Sequence, residues 1–170
     1  MSIAQFAVLL TAGLACLLDL RTRRIPNVLT FGAAGVGVLF HLTTRGWEGG
    51  LASIGGWLVG VAVLFAPFAL GGMGAGDVKL LGALGAWLGP VGALWLALYT
   101  GIAGGVIAIV VAAMHGYLAQ ALRNIWMLLI YWRLAGVRPM AELTLDTSRG
   151  PRLAYATSIL AGAVVTLWLR

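Results

Sequence analysis

The chain carries five acidic side chains, Asp19, Glu48, Asp77, Glu142 and Asp146. Glu48, Glu142 and Asp146 fall in stretches that read as loops and need no special account. Asp19 and Asp77 abut long apolar runs. A carboxylate at the centre of a membrane helix costs roughly 2.5–3.5 kcal/mol on insertion scales, less toward the helix ends, so an acid kept there is a functional candidate. Two carboxylates that face each other can share one proton, because like charges a few ångströms apart resist double ionisation. The ionised member can take a proton from water while the protonated member polarises a carbonyl. That is the chemistry of peptide hydrolysis. The shared proton belongs to the pair, so the sequence does not assign it to either acid.

Each acid also has a plainer use. Asp19 at a helix end can pair with Arg21 or Arg23, as exposed ion pairs commonly do. Asp77 can cap the N-terminus of the helix that follows it. A cap does not, however, require the Gly74-Ala75-Gly76 that precedes Asp77. Glycines let the chain leave helical geometry and let other groups approach closely. Non-helical backbone at membrane depth is tolerated only against protein or a water-filled cavity, and hydrolysis needs that water. Lys79 can tune Asp77 or contact a substrate backbone; equally, it can snorkel from a helix end. Cys16 is the one cysteine, which excludes an intrachain disulfide and a Cys-Cys metal pair. His41 and His115 stand near span ends without a partner pattern and read as interfacial residues. No cofactor and no metal is expected.

The elements that position these residues are set by composition. Of 170 residues, 61% are hydrophobic and 9% charged, against about 25% charged in an average soluble domain. Too few charges remain to cover a water-facing surface. The net charge of +6 does not imply nucleic acid, because the basic residues lie in short stretches between apolar runs and form no phosphate-tracking face. The partner is the lipid bilayer.

A membrane span needs about 20 mostly apolar residues. Ile3–Leu18, Val28–Leu42, Gly50–Leu70, Val78–Leu88, Val91–Met114 and Pro151–Leu169 read as six such runs. The fourth is short, and reaches Gly89-Pro90 after about three turns. Between the last two, Leu118, Leu122, Ile125, Trp126 and Leu129 recur at helical spacing, which predicts an amphipathic helix at the membrane surface followed by a polar loop. The fold class is therefore all-α, a polytopic membrane protein of about six transmembrane helices plus a cytoplasmic-side amphipathic helix. It forms a single domain, 1–170, in which 115–149 is the interfacial helix and loop. Gly56-x3-Gly60, Gly85-x3-Gly89 and Gly101-x3-Gly105 supply small faces for helix packing. Trp47, Trp87, Trp126, Trp132 and Trp168 lie near span ends as interfacial anchors.

Charge asymmetry orients the chain. With the Arg21–Arg24 loop in the cytoplasm, alternating spans put Arg21, Arg23, Arg24, Lys79, Arg123, Arg133, Arg138, Arg149 and Arg152 on that side, leaving Arg45 and Arg170 outside. Both termini then face out, and Asp19 and Asp77 lie near the cytoplasmic leaflet.

The two acid motifs resemble those of a known family. Asp19-Leu-Arg-Thr-Arg-Arg-Ile-Pro26-Asn27 is similar to the first-aspartate motif of type IV prepilin peptidases, and Gly72-Met-Gly74-Ala-Gly76-Asp77-Val-Lys79-Leu80 to the second, a Gly-x-Gly-Asp signature. Trp87-Leu88-Gly89 also fits, and Leu153–Gly162 resembles the last helix of the family, with Ala154 where a proline is usual. The resemblance implies that Asp19 and Asp77 are the catalytic pair, that Gly74 and Gly76 support them, and that Lys79, Pro26 and Asn27 are motif residues of unassigned role. It implies a substrate too: a prepilin or pilin-like protein with a basic leader before an apolar helix, cut at the cytoplasmic face of a bacterial inner membrane. Larger members also N-methylate the new terminus, using an additional region with paired cysteines. With Cys16 alone, this chain is expected to cleave without methylating, like the short peptidases of tight-adherence (Flp) pilus systems. The competing expectation is a small proton-coupled transporter or channel with Asp19 and Asp77 as a relay, although no internal repeat of the transporter kind is visible.

Overall fold

The computed structural model describes residues 1–136 and 154–169, and every secondary-structure element among them is helical: α1 (Ile3–Thr22), α2 (Asn27–Ala69), α3 (Ala75–Met114), α4 (Leu118–Ala135) and α5 (Tyr155–Trp168). Glu142, Asp146, Arg138, Arg149, Pro151, Arg152 and Arg170 lie outside the described residues.

Drawn straight, the 43 residues of α2 would run roughly 64 Å, about twice the hydrocarbon core of a bilayer. The helix does not run straight. Gly46 interrupts it at φ 65°, ψ −156°, and Gly89 interrupts α3 at φ 72°, ψ 177°. Both angles lie in a region essentially reserved for glycine. At each bend the chain folds back on itself. The carbonyl of His41 lies against Gly49, and a Cβ on Gly85 would stand 3.1 Å from that of Ala93. Three helices, α1, α2 and α3, are long and apolar enough to cross a membrane, and α5 is a shorter apolar helix. The count among the described residues is below the six spans read from the sequence because α2 and α3 each join two of those runs across a glycine bend and α5 is too short to be counted.

The second bend leaves two carbonyls without helical partners. Ala86 would accept from residue 90, but Pro90 has no N–H; Trp87 would accept from Val91, which lies beyond the break. Other helices supply the donors. Ser53 Oγ donates to the Ala86 carbonyl at 2.6 Å, and His41 Nε2 meets the Trp87 carbonyl at 3.1 Å. A carbonyl only accepts, so Nε2 carries the proton. This corrects two expectations. His41 is no interfacial residue but is buried, and Trp87 is no interfacial anchor but lies in the core with its indole N–H donated to the Ala33 carbonyl at 2.9 Å. Trp47, Trp126 and Trp168 are exposed, as anchors should be.

The first half of α3 is the central post of the bundle. From Val78 to Trp87 every residue but Lys79 is buried, packed by Val8 and Ala12 of α1, Leu64 of α2 and Ile159 of α5. The most extensive packing joins α2 to α3. It depends on small residues: Gly56 lies against the Gly85 carbonyl, and a Cβ on Gly60 would stand 2.7 Å from the Leu81 carbonyl. Gly101 and Gly105 face open space instead; Gly104 takes the contact with α5, where a Cβ would stand 3.2 Å from the Tyr155 ring. Helix α4 packs only lightly on α3 and exposes Leu122, Ile125, Trp126 and Leu129.

Candidate active site

Asp19 stands within the last turn of α1, inside the helix and not beyond its end as the apolar run alone indicated. The helix stops because Arg23 adopts a left-handed conformation (φ 55°) while its N–H returns to the Asp19 carbonyl at 2.9 Å. Thr22 reinforces the stop, its hydroxyl lying 2.9 Å from the Leu18 carbonyl and 3.2 Å from that of Arg24. The chain then extends through Pro26, whose φ of −63° opens α2 with Asn27 as its first residue.

Asp77 is the third residue of α3, with Gly74 as the N-cap. Its carboxylate accepts a hydrogen bond from the Gly74 backbone N–H, and its own N–H returns to the Gly74 carbonyl at 3.2 Å. This is one half of a capping box, with an acid at the position that favours one. The two glycines have separate uses. A Cβ on Gly74 would stand 3.2 Å from Asp77 Oδ2, so a bare Cα lets the carboxylate fold back over the helix end. A Cβ on Gly76 would stand 3.3 Å from Ile25 Cβ. The loop that follows Asp19 therefore docks on the turn that carries Asp77.

A second contact joins the same two segments. Lys79 Nζ donates to Asn27 Oδ1 at 2.9 Å and stands 5.5 Å from the centre of the Phe31 ring. Lys79 thus spans from the Asp77 helix to the start of α2. The motif residues Pro26 and Asn27 belong to the segment it holds. Asp19 and Asp77, 58 positions apart in sequence (77 − 19), lie in each other's electrostatic field, and both are half-buried. Tyr155, at the start of α5, also lies within the field of Asp77. Sequence reasoning read the last helix as an apolar span but gave it no site residue and missed Tyr155; its one signal was an aromatic residue at the point where apolar character resumes.

A cavity of about 410 Å³ lies at the opposite end of these helices, bordered by Gln5, His41, Arg45, Ser53 and Gly89. Neither acid lines it. It belongs to the two bends and not to the acid pair.

The model of the type IV leader peptidase family matches residues 6–109. The chain belongs to that family. The matched span includes both acids, the Gly74–Gly76 turn and the Lys79–Asn27 contact. Membership makes this chain a leader-peptidase-like protease, and with its long apolar helices a membrane protein. No curated protein and no solved structure matches it significantly.

Proposed function

We propose that this leader-peptidase family member is an intramembrane aspartic endopeptidase that removes the basic leader of a prepilin or pilin-like protein at the cytoplasmic face of a bacterial inner membrane. The observation that carries the reading is that the segment following Asp19 docks on the turn bearing Asp77, through Ile25 against Gly76 and Lys79 to Asn27, so that both acids stand at one end of the bundle. Family membership favours hydrolysis over a proton relay.

In this reading one carboxylate of the pair is ionised and the other protonated. The ionised acid takes a proton from water as the water oxygen bonds to the scissile carbonyl carbon, and the protonated acid gives its proton to the carbonyl oxygen. When the tetrahedral intermediate collapses, the C–N bond breaks, the departing nitrogen takes up a proton, and the pair returns to its single-proton state. One peptide bond and one water become one carboxylic acid and one amine. Asp19 and Asp77 are the catalytic pair; Gly74 and Gly76 make room for them, and Lys79, Asn27 and Pro26 hold the two segments together. The single domain 1–170 crosses the membrane about six times, with both termini outside. With Cys16 as its one cysteine, the enzyme cleaves and does not methylate.

The test uses purified protein, a leader-bearing pilin subunit and mass spectrometry of the product. Asp19→Asn and Asp77→Asn should each abolish leader removal while the protein stays folded and inserted, and the product should carry no added methyl group. Cleavage at the wild-type rate by either variant would refute the pair.

A further inference from the structure

Arg45 has no part in the acid pair. It lines the cavity of about 410 Å³ at the opposite end of the helices, a volume within the range of small-molecule sites. Its guanidinium is exposed and has no ion-pair or hydrogen-bond partner among the described residues. Among those residues no carboxylate lines the cavity, so the charge of Arg45 is uncompensated there. The capping box of α1, Ser2 with Gln5, stands in the same wall and adds the positive end of a helix dipole. Gln5 Oε1 is taken by the Ser2 N–H at 2.8 Å, which leaves the amide N–H groups of Gln5 as donors. Each of these features favours an anion.

His41 adds a different demand. Only 6% of it is exposed. Its Nε2–H is donated to the Trp87 carbonyl at 3.1 Å, and Nδ1 has no partner among the described residues. Thr100 Oγ1 is the one side-chain polar atom among them that is both sealed from solvent and unpaired, so Nδ1 opens on the cavity that His41 lines. With the proton on Nε2, Nδ1 is an acceptor. A ligand that satisfies this wall carries an anionic group and a hydrogen-bond donor together.

We propose that this cavity binds a glycerophosphate group, with its phosphate oxygens on Arg45 and Gln5 and a glycerol hydroxyl donated to His41 Nδ1. A hydroxyl suits the site better than an ammonium, because a second cation would meet Arg45 and the helix dipole with no acid beside them. The group can arrive as the headgroup of an anionic lipid or as a soluble ester. Trp47 and Leu51 are exposed close in sequence to the lining residues Arg45, Gly49 and Ala52. They offer acyl chains an apolar surface, which favours the lipid. Its seat is the second bend, where His41 and Ser53 already hold the freed carbonyls, so an occupant braces α1 against that bend. The site does not depend on the endopeptidase reading.

The test follows the first lipid bound to the full-length protein, by native mass spectrometry from detergent. Phosphatidylglycerol is compared with phosphatidylmethanol, which has the same charge and no headgroup hydroxyl, and with phosphatidylethanolamine, which has an ammonium. Phosphatidylglycerol should bind at least about fivefold more tightly than phosphatidylmethanol, for the one hydrogen bond lost. Arg45→Gln should weaken its binding at least about tenfold, as loss of a hydrogen bond to a charged group does. Arg24→Gln, at the far end of α1, should leave it unchanged. Arg45 has no partner among the described residues and glutamine keeps its stem, so the fold is retained. No binding, equal affinity for phosphatidylglycerol and either other lipid, or an equal effect of the two arginine variants would overturn the site. Glycerol 3-phosphate separates the sources: affinity equal to that of the lipid assigns the site to the soluble ester, and weaker affinity assigns it to the membrane lipid.

Discussion

Replacing Gly76 with alanine should separate stability from activity, because the two respond to the new methyl with opposite sign. Gly76 is the second residue of α3, and an alanine there reduces the backbone freedom lost on helix formation. In a helix interior the gain is about 0.8–1 kcal/mol; in the first turn about half of that is a fair share. Against it stands one contact. The added Cβ would meet Ile25 Cβ at 3.3 Å and Cδ1 and Cγ1 at 3.5 Å, so Ile25 must retreat by a few tenths of an ångström. Ile25 lies in the connecting segment between α1 and α2, which can move. The net effect on thermal stability should be neutral or slightly favourable.

Activity should fall. The retreating segment is the one that follows Asp19, and its seat on Gly76 helps set how far Asp19 stands from Asp77. A misplacement of 1 Å in a catalytic site costs about 100-fold in rate. A shift of 0.3–0.5 Å scales on the same logarithmic footing to about 4–10-fold. The assay is leader removal under single-turnover conditions, beside thermal unfolding in the same detergent. Gly76→Ala should melt no lower than wild type and cleave about 4–10-fold more slowly, and Ile25→Ala in the same chain, which removes Cγ1 and Cδ1, should restore part of the rate. A variant that keeps full rate, or that loses rate only because it unfolds, would refute the docking of this segment as the device that sets the acid pair.

The remaining predictions concern the contacts around that device. Asn27→Ala and Lys79→Met should each lower kcat about fivefold with little change in KM, since a charge-assisted hydrogen bond is worth about 1.5–3 kcal/mol at full strength and less when exposed; the double variant should be no worse than either single one, and a purely additive loss would show that the pair does not act as a unit. Ser53→Ala should leave the Ala86 carbonyl buried and unpaired at a cost of about 1–3 kcal/mol, read as a lower unfolding midpoint with kcat little changed in the protein that stays folded. Gly60→Val should be far more damaging to folding, because the Leu81 carbonyl stands 2.7 Å from the new Cβ and backbone cannot yield as a side chain does; a well-folded Gly60→Val protein would contradict the packing of α2 on α3.

The helical, lipid-soluble nature of the chain was legible in its apolar runs, and so was every break in them. Gly89-Pro90 ended the fourth run on paper and bends α3 in the structure. The first bend was legible only as a gap between runs, since nothing distinguished Gly46 from the neighbouring Gly49 and Gly50. What the runs could not tell was which way each bend turns. That depends on how the halves pack, as where Gly56 and Gly60 in the second half of α2 meet Gly85 and Leu81 in the first half of α3, and such pairing is not written in the spacing of either strip alone. For the same reason His41 and Trp87 were misplaced. Each stands near the end of an apolar run, where an amphipathic ring belongs at the interface, but the orphaned carbonyls at the bend draw one hydrogen-bond donor inward and helix packing buries the other ring.

The acid pair was legible in kind and not in geometry. Residue type and setting were enough to single out Asp19 and Asp77, because a carboxylate beside lipid has few bland uses. The motif residues around them could only be named. Their connection follows from two contacts that no linear pattern encodes, a glycine missing its side chain where an isoleucine arrives and a lysine reaching an asparagine 52 positions earlier (79 − 27). Both contacts bind the segment after the first acid to the turn that bears the second. Lys79 had three readings on paper, as a tuner of Asp77, a substrate contact or a snorkelling cation. Its ammonium points to Asn27 and Phe31, which favours a fourth: the charge holds together the two segments on which the carboxylates are mounted.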